Sequence, residues 1–402
     1  MIVLVLNTGS SSVKYQVINP EEKRELAKGL VERIGMSGAI LTHRVSGGEE
    51  VRLSGEILDH KMAIEYVLSI LLSKNHGVIK KRSEIDAVGH RVVHGGEAFS
   101  GSVLITEEVM REMRKCIDYA PLHNPANLKG INAAQQLLPD VPQVGVFDTA
   151  FHQTMPKHAF LYGLPYVLYR RHGIRRYGFH GTSHRYVSEK AAEMVGRPLS
   201  ELKIITAHLG NGCSITAING GRSIDTSMGF TPLEGLLMGT RCGDMDPAII
   251  LQIMNKEDLT QNDITTMLNK HSGLQGISGI SSDMREIEEE YKSNERARVA
   301  HDIFTYRLKK YIGGYAAALG GLDVLVFTGG IGENSSMVRK NATAGLEFMG
   351  IVIDEKKNAA RTKDAREIST QNAKVKCLVI PTNEELVIAL DTMMIVQQLK
   401  KN

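Results

Sequence analysis

Three basic side chains stand in glycine-punctuated stretches of a chain of 402 residues. Arg91 lies in GHRVVHGG, His180 in RRYGFHGTSH and Arg241 in MGTRCGDMDP. A solvated surface charge needs no such glycines, whereas backbone that closely approaches an anion does. Arginine's planar fork grips carboxylate and phosphate alike, and histidine adds a positioned donor, so the set suits chemistry between anions. Four turns add amides and hydroxyls. NTGSSSVK, residues 7–14, runs from one β-like stretch into another, so it is a hairpin anion site and not a Walker loop. Its Ser10, Ser11 and Ser12 can donate to phosphoryl oxygens, and Lys14 can reach the same anion. HLGNG (His208, Leu209, Gly210, Asn211, Gly212) is a second tight turn after a strand. TGGIGEN supplies Gly329, Gly330, Ile331, Gly332, Glu333 and Asn334 ahead of a helix capped by Asn334 or Ser335. SSDMR places Asp283, Met284 and Arg285 at a helix start. Singly, each turn also fits an ordinary hairpin or cap.

Two carboxylates complete the set. Asp148 ends the strand-like QVGVF, where strand carboxyl ends line ligand crevices in α/β sheets. Glu384 opens the last helix, and from its surroundings alone it is a helix-dipole residue, with Thr382 and Glu385 spelling a capping box.

The elements that must position these residues alternate. Apolar β-rich runs occur at residues 2–6, 13–18, 87–93, 144–147, 203–208, 214–218, 323–327 and 375–380. Helical periodicity marks residues 62–72, 107–119, 128–138, 184–195, 247–254, 295–319 and 385–400. This is the pattern of α/β layers. LVLNTGSSSVKYQVIN near the start resembles ITAHLGNGCSITAING near residue 205, each a strand, a Gly/Asn/Ser turn and an alternating strand. Two such hairpins suggest two related domains, with a crossing expected in the Pro/Gly-bearing stretch 155–173.

The bulk numbers fit a multidomain globular chain: 42% hydrophobic, 23% charged, net charge +3. That balance gives no basis for nucleic acid or membrane as a bulk partner. Four cysteines, none in a C-x-x-C pair, argue against a disulfide framework or zinc site and for a reducing cytoplasm. The opening MIVLVL is too short to span a bilayer and reads as a buried strand.

Taken together, NTGSSSVKY, GHRVVHGG, PLHNP, FDTAFH, RRYGFHGTSH, HLGNG, DTSMGFTPLEGLLMGTRCGDMDP, SSDMRE, FTGGIGENS and PTNEE resemble the acetate kinase family, in that family's order and over essentially the whole chain. The resemblance implies two ribonuclease-H-like domains of the actin-type ATPase superfamily, with mixed sheets flanked by helices and an active site in the cleft between them. Residues 1–150 plus 385–402 would form the acceptor-side domain, the last helix packing back on it. Residues 151–384 would form the nucleotide-binding and dimerising domain. The implied reaction is reversible transfer of the ATP γ-phosphoryl group to acetate, giving acetyl phosphate and ADP, with Mg²⁺ (Mn²⁺ substituting) and a homodimer.

By the same resemblance Arg91, Arg241 and His180 are catalytic, and Asn7 and Glu384 anchor the metal. Lys14, Ser10, Ser12 and the three later turns, with Ser335, hold the nucleotide. Asp148 is expected to orient an arginine or the Mg²⁺ water shell and not to take a proton. Val93, Leu122, Phe179 and Pro232 would surround a small methyl pocket with Arg91; His94 and His123 each fit either the site or the core, and only His123 is assigned to the site. The rivals are a propionate or butyrate kinase, separated by acceptor chain length, and a nucleotide-gated actin- or chaperone-like binding protein, separated by acid-dependent turnover.

Overall fold

A computed structural model describes residues 1–121 and 123–401 of the chain. Leu122, expected in the acceptor pocket, lies outside the described residues. Two compact units result, residues 1–151 with 383–402, and residues 152–382.

The first unit is built on an eight-stranded sheet: β1 (Val3–Thr8), β2 (Ser12–Asn19), β3 (Arg24–Glu32), β4 (Ala39–Val45), β5 (Glu50–Gly55), β6 (Ala87–Val92), β7 (Val103–Leu104) and β8 (Gln143–Phe147), in the order β5-β4-β3-β2-β1-β6-β8-β7. β1 is apolar from Val3 to Leu6 because helices cover the sheet around it, and these four residues are all buried. β2 instead alternates, Val13, Tyr15 and Val17 pointing inward. Those side chains meet Ala63, Ile64, Val67 and Leu68 of the helix His60–Leu71 and Ala133 and Ala134 of the helix Asn124–Leu137. Each large aliphatic side chain buried there contributes about 1.5–3 kcal/mol. On β6 Gly89 admits the last helix, Glu384–Leu399, since a Cβ there would stand 2.5 Å from Thr392 Oγ1. β3, β4 and β5 were not foreseen. β5 is a mostly exposed edge strand whose Glu50 and Arg52 discourage further pairing.

The second unit carries β9 (Lys203–Leu209), β10 (Cys213–Asn219), β11 (Arg222–Thr226), β12 (Val324–Thr328), β13 (Arg366–Glu367) and β14 (Lys376–Val379), ordered β11-β10-β9-β12-β14-β13. The two sheets repeat one pattern. In each, three antiparallel strands (β3-β2-β1 and β11-β10-β9) are extended by two parallel ones (β6-β8 and β12-β14). The two similar hairpins are the first two strands of each copy, so their likeness reflects a repeated topology.

Three local expectations are corrected. The stretch 155–173 does not cross between units; it lies inside the second, tied by Thr154 Oγ1 donating to the Ser223 carbonyl at 2.8 Å and Arg176 N–H to that of Phe160 at 2.7 Å. The last helix is capped by Asn383, whose side chain accepts from Leu386 N–H at 3.0 Å, and not by a Thr382–Glu385 box. Asn383 and Glu384 therefore group with the first unit, not the second. Among the described residues no helix is long and apolar enough to cross a membrane.

Candidate active site

In the first unit strand register does the positioning. Asn7 on β1 is paired with Lys14 on β2 and Arg91 on β6, so three polar side chains form a row across the sheet. They line a pocket with Glu384 and Glu385 of the last helix. Asp148, one residue past β8, is held by its N–H donating to the Val92 carbonyl at 3.0 Å. Arg91 forks onto it, Nη2 at 2.5 Å from Oδ2 and Nε at 3.2 Å from Oδ1. Glu384 lies 3.5 Å from the same Nε. Lys14 pairs with Glu385, a partner that the sequence pattern did not reveal. Burial and the neighbouring Glu384 push the Asp148 carboxyl upward, while Arg91 pulls against them. Burial opposes the Arg91 charge, but Asp148 and Glu384 more than restore it.

Three carboxylates, Asp148, Glu384 and Glu385, thus face two cations, Arg91 and Lys14. An added divalent cation fits that balance, with the Asn7 amide oxygen and the Glu384 carboxylate as hard oxygen donors. Among the described residues no cluster of three or more His, Cys, Asp or Glu has metal-holding geometry. A site with few protein donors suits Mg²⁺, which keeps several waters.

Ser10 and Ser12 lie in the β1–β2 turn closed by Gly9 N–H donating to the Ser12 carbonyl at 2.8 Å. Val93 N–H donates to Asn127 Oδ1 at 3.1 Å, His123 is half-buried at the N-cap of the helix Asn124–Leu137, and His94 is fully buried.

In the second unit the HLGNG turn is the meeting point. A Cβ at Gly212 would stand 3.3 Å from Arg241 Nη1 and 3.7 Å from His180 Nε2, so both basic groups face that turn. Arg241 Nη1 donates to the Pro232 carbonyl at 3.1 Å. Gly329 abuts the same turn, its would-be Cβ 2.7 Å from the Leu209 carbonyl oxygen, with φ +77°. Only glycine meets both demands. Gly239 closes on it too, 1.9 Å by the same measure from Asn211 Oδ1 and 3.2 Å from the Ser282 carbonyl oxygen, which brings the SSDMR segment alongside. Asp283 caps the helix Met284–Glu289 through Arg285 N–H and pairs with the Arg285 guanidinium, while the Met284 side chain is buried. The TGGIGEN segment is itself a short helix, Gly329–Asn334, with Glu333 accepting from Gly329 N–H at 3.0 Å and Asn334 donating to the Gly330 carbonyl at 2.8 Å. Ser335, not Asn334, caps the following helix. Behind these turns Arg339 is buried and donates to the carbonyls of Gly332 and Glu333.

His180 is the most unusual residue here. The helix Gly181–Val195 begins before the periodicity read from residue 184, and His180 is its N-cap, left-handed at φ 56° and ψ 23°. A non-glycine residue held there stores strain, and such strain concentrates at working sites. Its Nδ1 contacts Ser214 Oγ at 2.8 Å and its ring stacks on His208, centroids 4.2 Å apart. His208 Nδ1 lies 2.8 Å from Ser183 Oγ. Phe179 is buried, and its carbonyl accepts from His152 Nε2–H at 3.0 Å.

Arg91, Asp148, Asn7, Lys14 and Glu384 are thus gathered in one unit, and His180, His208, Asn211, Gly212, Arg241 and Gly329 in the other. Pattern reading missed Glu385, Gly239, Ser214, His184 and Thr206. Glu385, Gly239 and His184 sit inside quoted motifs; Ser214 and Thr206 are buried polar residues on strands and carry no motif of their own.

A repeated mixed sheet with a glycine-lined turn after the first strand of the second copy is the two-domain α/β fold of actin-type ATPases. The profile of the acetokinase family matches residues 2–390. An acetate kinase from Caldanaerobacter subterraneus subsp. tengcongensis is 57% identical over 402 residues, covering 100% of both chains. One from Clostridium kluyveri is 57% identical over 400 residues, 99% of this chain and 98% of its own. The crystal structure of Porphyromonas gingivalis acetate kinase superposes with a TM-score of 0.95 at 53% identity, covering 98% of this chain and 99% of that one. A propionate kinase from Francisella tularensis subsp. tularensis SCHU S4 gives 0.91 at 45% identity, with the same coverage. The chain belongs to the acetokinase family.

Proposed function

We propose that this protein transfers the γ-phosphoryl group of ATP reversibly to the carboxylate of acetate, forming acetyl phosphate and ADP. The observation that carries the proposal is the meeting of the His180 imidazole and the Arg241 guanidinium at Gly212, beside the Gly329 helix start. A helix start and a glycine turn offer backbone N–H groups to phosphates, and the two side chains supply the donors that a transferring phosphoryl group needs.

The acceptor carboxylate is ionised at neutral pH, so no base is needed to make it a nucleophile. The obstacle is the approach of two anions, overcome by positioning and charge neutralisation. Arg91, aimed by Asp148, holds the acceptor carboxylate. Arg241 holds the phosphoryl group as it passes, and His180 donates to its equatorial oxygens. HLGNG, the Gly329–Asn334 helix, Ser335 and residues 283–285 hold the nucleotide, with Ser10, Ser12 and Lys14 on the phosphate side. For Lys14 this requires exchanging Glu385 for the anion. Asn7 and Glu384 would hold Mg²⁺, which when bound neutralises β- and γ-phosphoryl charge. Val93 and His123 in the first unit, and Phe179 and Pro232 in the second, are the residues assigned to the acceptor methyl group.

Free cysteines support a cytoplasmic setting. Exposed Ile249, Leu251 and Tyr306 in the second unit support a homodimer.

The test is ATP- and acid-dependent hydroxamate formation with acetate, propionate and butyrate. One methylene changes binding in a small pocket by about 1–3 kcal/mol, so kcat/KM should fall roughly tenfold or more from acetate to propionate. A higher kcat/KM for propionate makes the chain a propionate kinase. Phosphate release without any hydroxamate makes it a nucleotide-gated binding protein.

A further inference from the structure

His184 is fully buried one helical turn beyond His180, and both of its ring nitrogens are engaged. Its Nδ1 lies 2.7 Å from Thr206 Oγ1 on β9, and its Nε2 lies 2.7 Å from Ser214 Oγ on β10. Ser214 Oγ is also the atom 2.8 Å from His180 Nδ1. Four side chains are therefore joined end to end, and the direction of their protons is decided by counting. Burial among other histidines holds His184 neutral, with one ring proton to give. Thr206 is fully buried, and His184 is the one hydrogen-bond partner of its hydroxyl among the described residues. Were Thr206 to accept, its own hydroxyl proton would be stranded in the interior. Thr206 therefore donates to His184 Nδ1, which leaves the His184 proton on Nε2, donating to Ser214. Ser214 has one proton, and with His184 donating to it that proton goes to His180 Nδ1.

We propose that Thr206, His184 and Ser214 form a directed hydrogen-bond relay that fixes His180 as the tautomer with its proton on Nε2, the nitrogen on the Arg241 side of Gly212. The three are positioning residues, acting only through His180. The relay rests on the phosphoryl-donor role proposed for His180 and explains how a neutral imidazole keeps a proton aimed at the developing charge. The reverse tautomer would present a lone pair to an anion. It also gives the left-handed backbone of His180 a purpose, because Nδ1 must face Ser214 while Nε2 lies on the Arg241 side of Gly212.

The test is two-bond ¹⁵N–¹H correlation on the intact chain labelled at its 14 histidines. His180 is assigned by the signals lost in His180→Gln. Wild type should show a protonated Nε2 and an unprotonated Nδ1 at His180. Thr206→Val, nearly isosteric and two residues away along the relay, should turn this into a tautomer mixture. Its kcat should fall about tenfold, short of the ~10²–10³ lost with an outright donor deletion, while KM for ATP stays near wild type. Ser214→Ala should do the same and Ser214→Thr should restore both readings; this pair decides the matter if Thr206→Val does not fold. A protonated Nδ1 in wild type, or an unmixed Nε2–H signature in both Thr206→Val and Ser214→Ala, overturns the relay. The spectra report the tautomer without turnover, so an inactive chain with Nε2–H at His180 counts against the proposed reaction and not against the relay.

Discussion

At the scale of single residues the division of labour around Arg91 is the sharpest point. Asp148 is buried beneath it and spends both oxygens on its guanidinium. A carboxylate so used orients an arginine; it has nothing to deprotonate, because the acceptor acid arrives ionised. Asp148→Asn keeps an acceptor oxygen but loses the charge, and kcat should fall by roughly 10–10² with the acceptor KM raised. Because burial and Glu384 raise the Asp148 carboxyl, activity that depends on the fork should be full at high pH and fade as pH falls through that raised range, a limb absent from Asp148→Asn. Turnover in D₂O separates orientation from proton transfer. An isotope effect near unity is expected, and a large normal effect in wild type that disappears in Asp148→Asn would mark Asp148 as a base. Arg91, His180 and Arg241 were legible in the sequence because glycine beside a basic group is uncommon. Glu385 and Ser214 were not, because an ion pair or a buried hydroxyl leaves no trace in spacing.

At the scale of elements, caps and close approaches decide the geometry. Asn383 starts the last helix and so sets where Glu384 and Glu385 project. Asn383→Ala should cost about 1 kcal/mol in urea unfolding, the usual loss of an N-cap. Gly239→Ala puts a methyl carbon into the space of Asn211 Oδ1 and should displace the HLGNG turn. An increase in KM for ATP of about tenfold or more is expected, since two or more kcal/mol of overpacking must be relieved there. Unchanged nucleotide affinity would mean that this turn does not hold the phosphates. Most strands near the sites were readable, because buried β1, β8, β9 and β12 are apolar runs. β3 to β5 were not: they form one side of the sheet, and charged residues interrupt their alternation. The Thr382–Glu385 box looked plausible because its spacing was right; Thr382 Oγ1 instead lies 2.8 Å from Ser183 Oγ.

At the scale of the whole molecule, one sheet topology occurs twice, once in each unit. The sequence hinted at that duplication through a single pair of hairpins, and only strand order makes it plain. Each unit also buries a neutral histidine. Burial lowers His90, beside Gln143, and His152, beside Ser223, to about 4. Unfolded histidine titrates near 6.5, so between pH ~6.5 and ~4 the unfolded chain binds the extra protons and stability falls as pH falls. The loss is on the order of a few kcal/mol per histidine and levels off below about pH 4 for these two groups. Urea midpoints measured from pH 8 to pH 4 should drop across that window with net proton uptake on unfolding; constant midpoints would contradict the burial of both rings as neutral groups.

We propose that Arg91 holds the acceptor carboxylate and Arg241 the transferring phosphoryl group, both acting in the same chemical step. Hydroxamate formation at saturating MgATP and acetate, compared across wild type, Arg91→Ala, Arg241→Ala and the double variant, tests it most directly. Each single change should lower kcat by about 10²–10³, and the double change should cost less than the product of the two, as for groups that act as a unit. Wild-type-like turnover in either single variant, or losses that multiply independently, would contradict it.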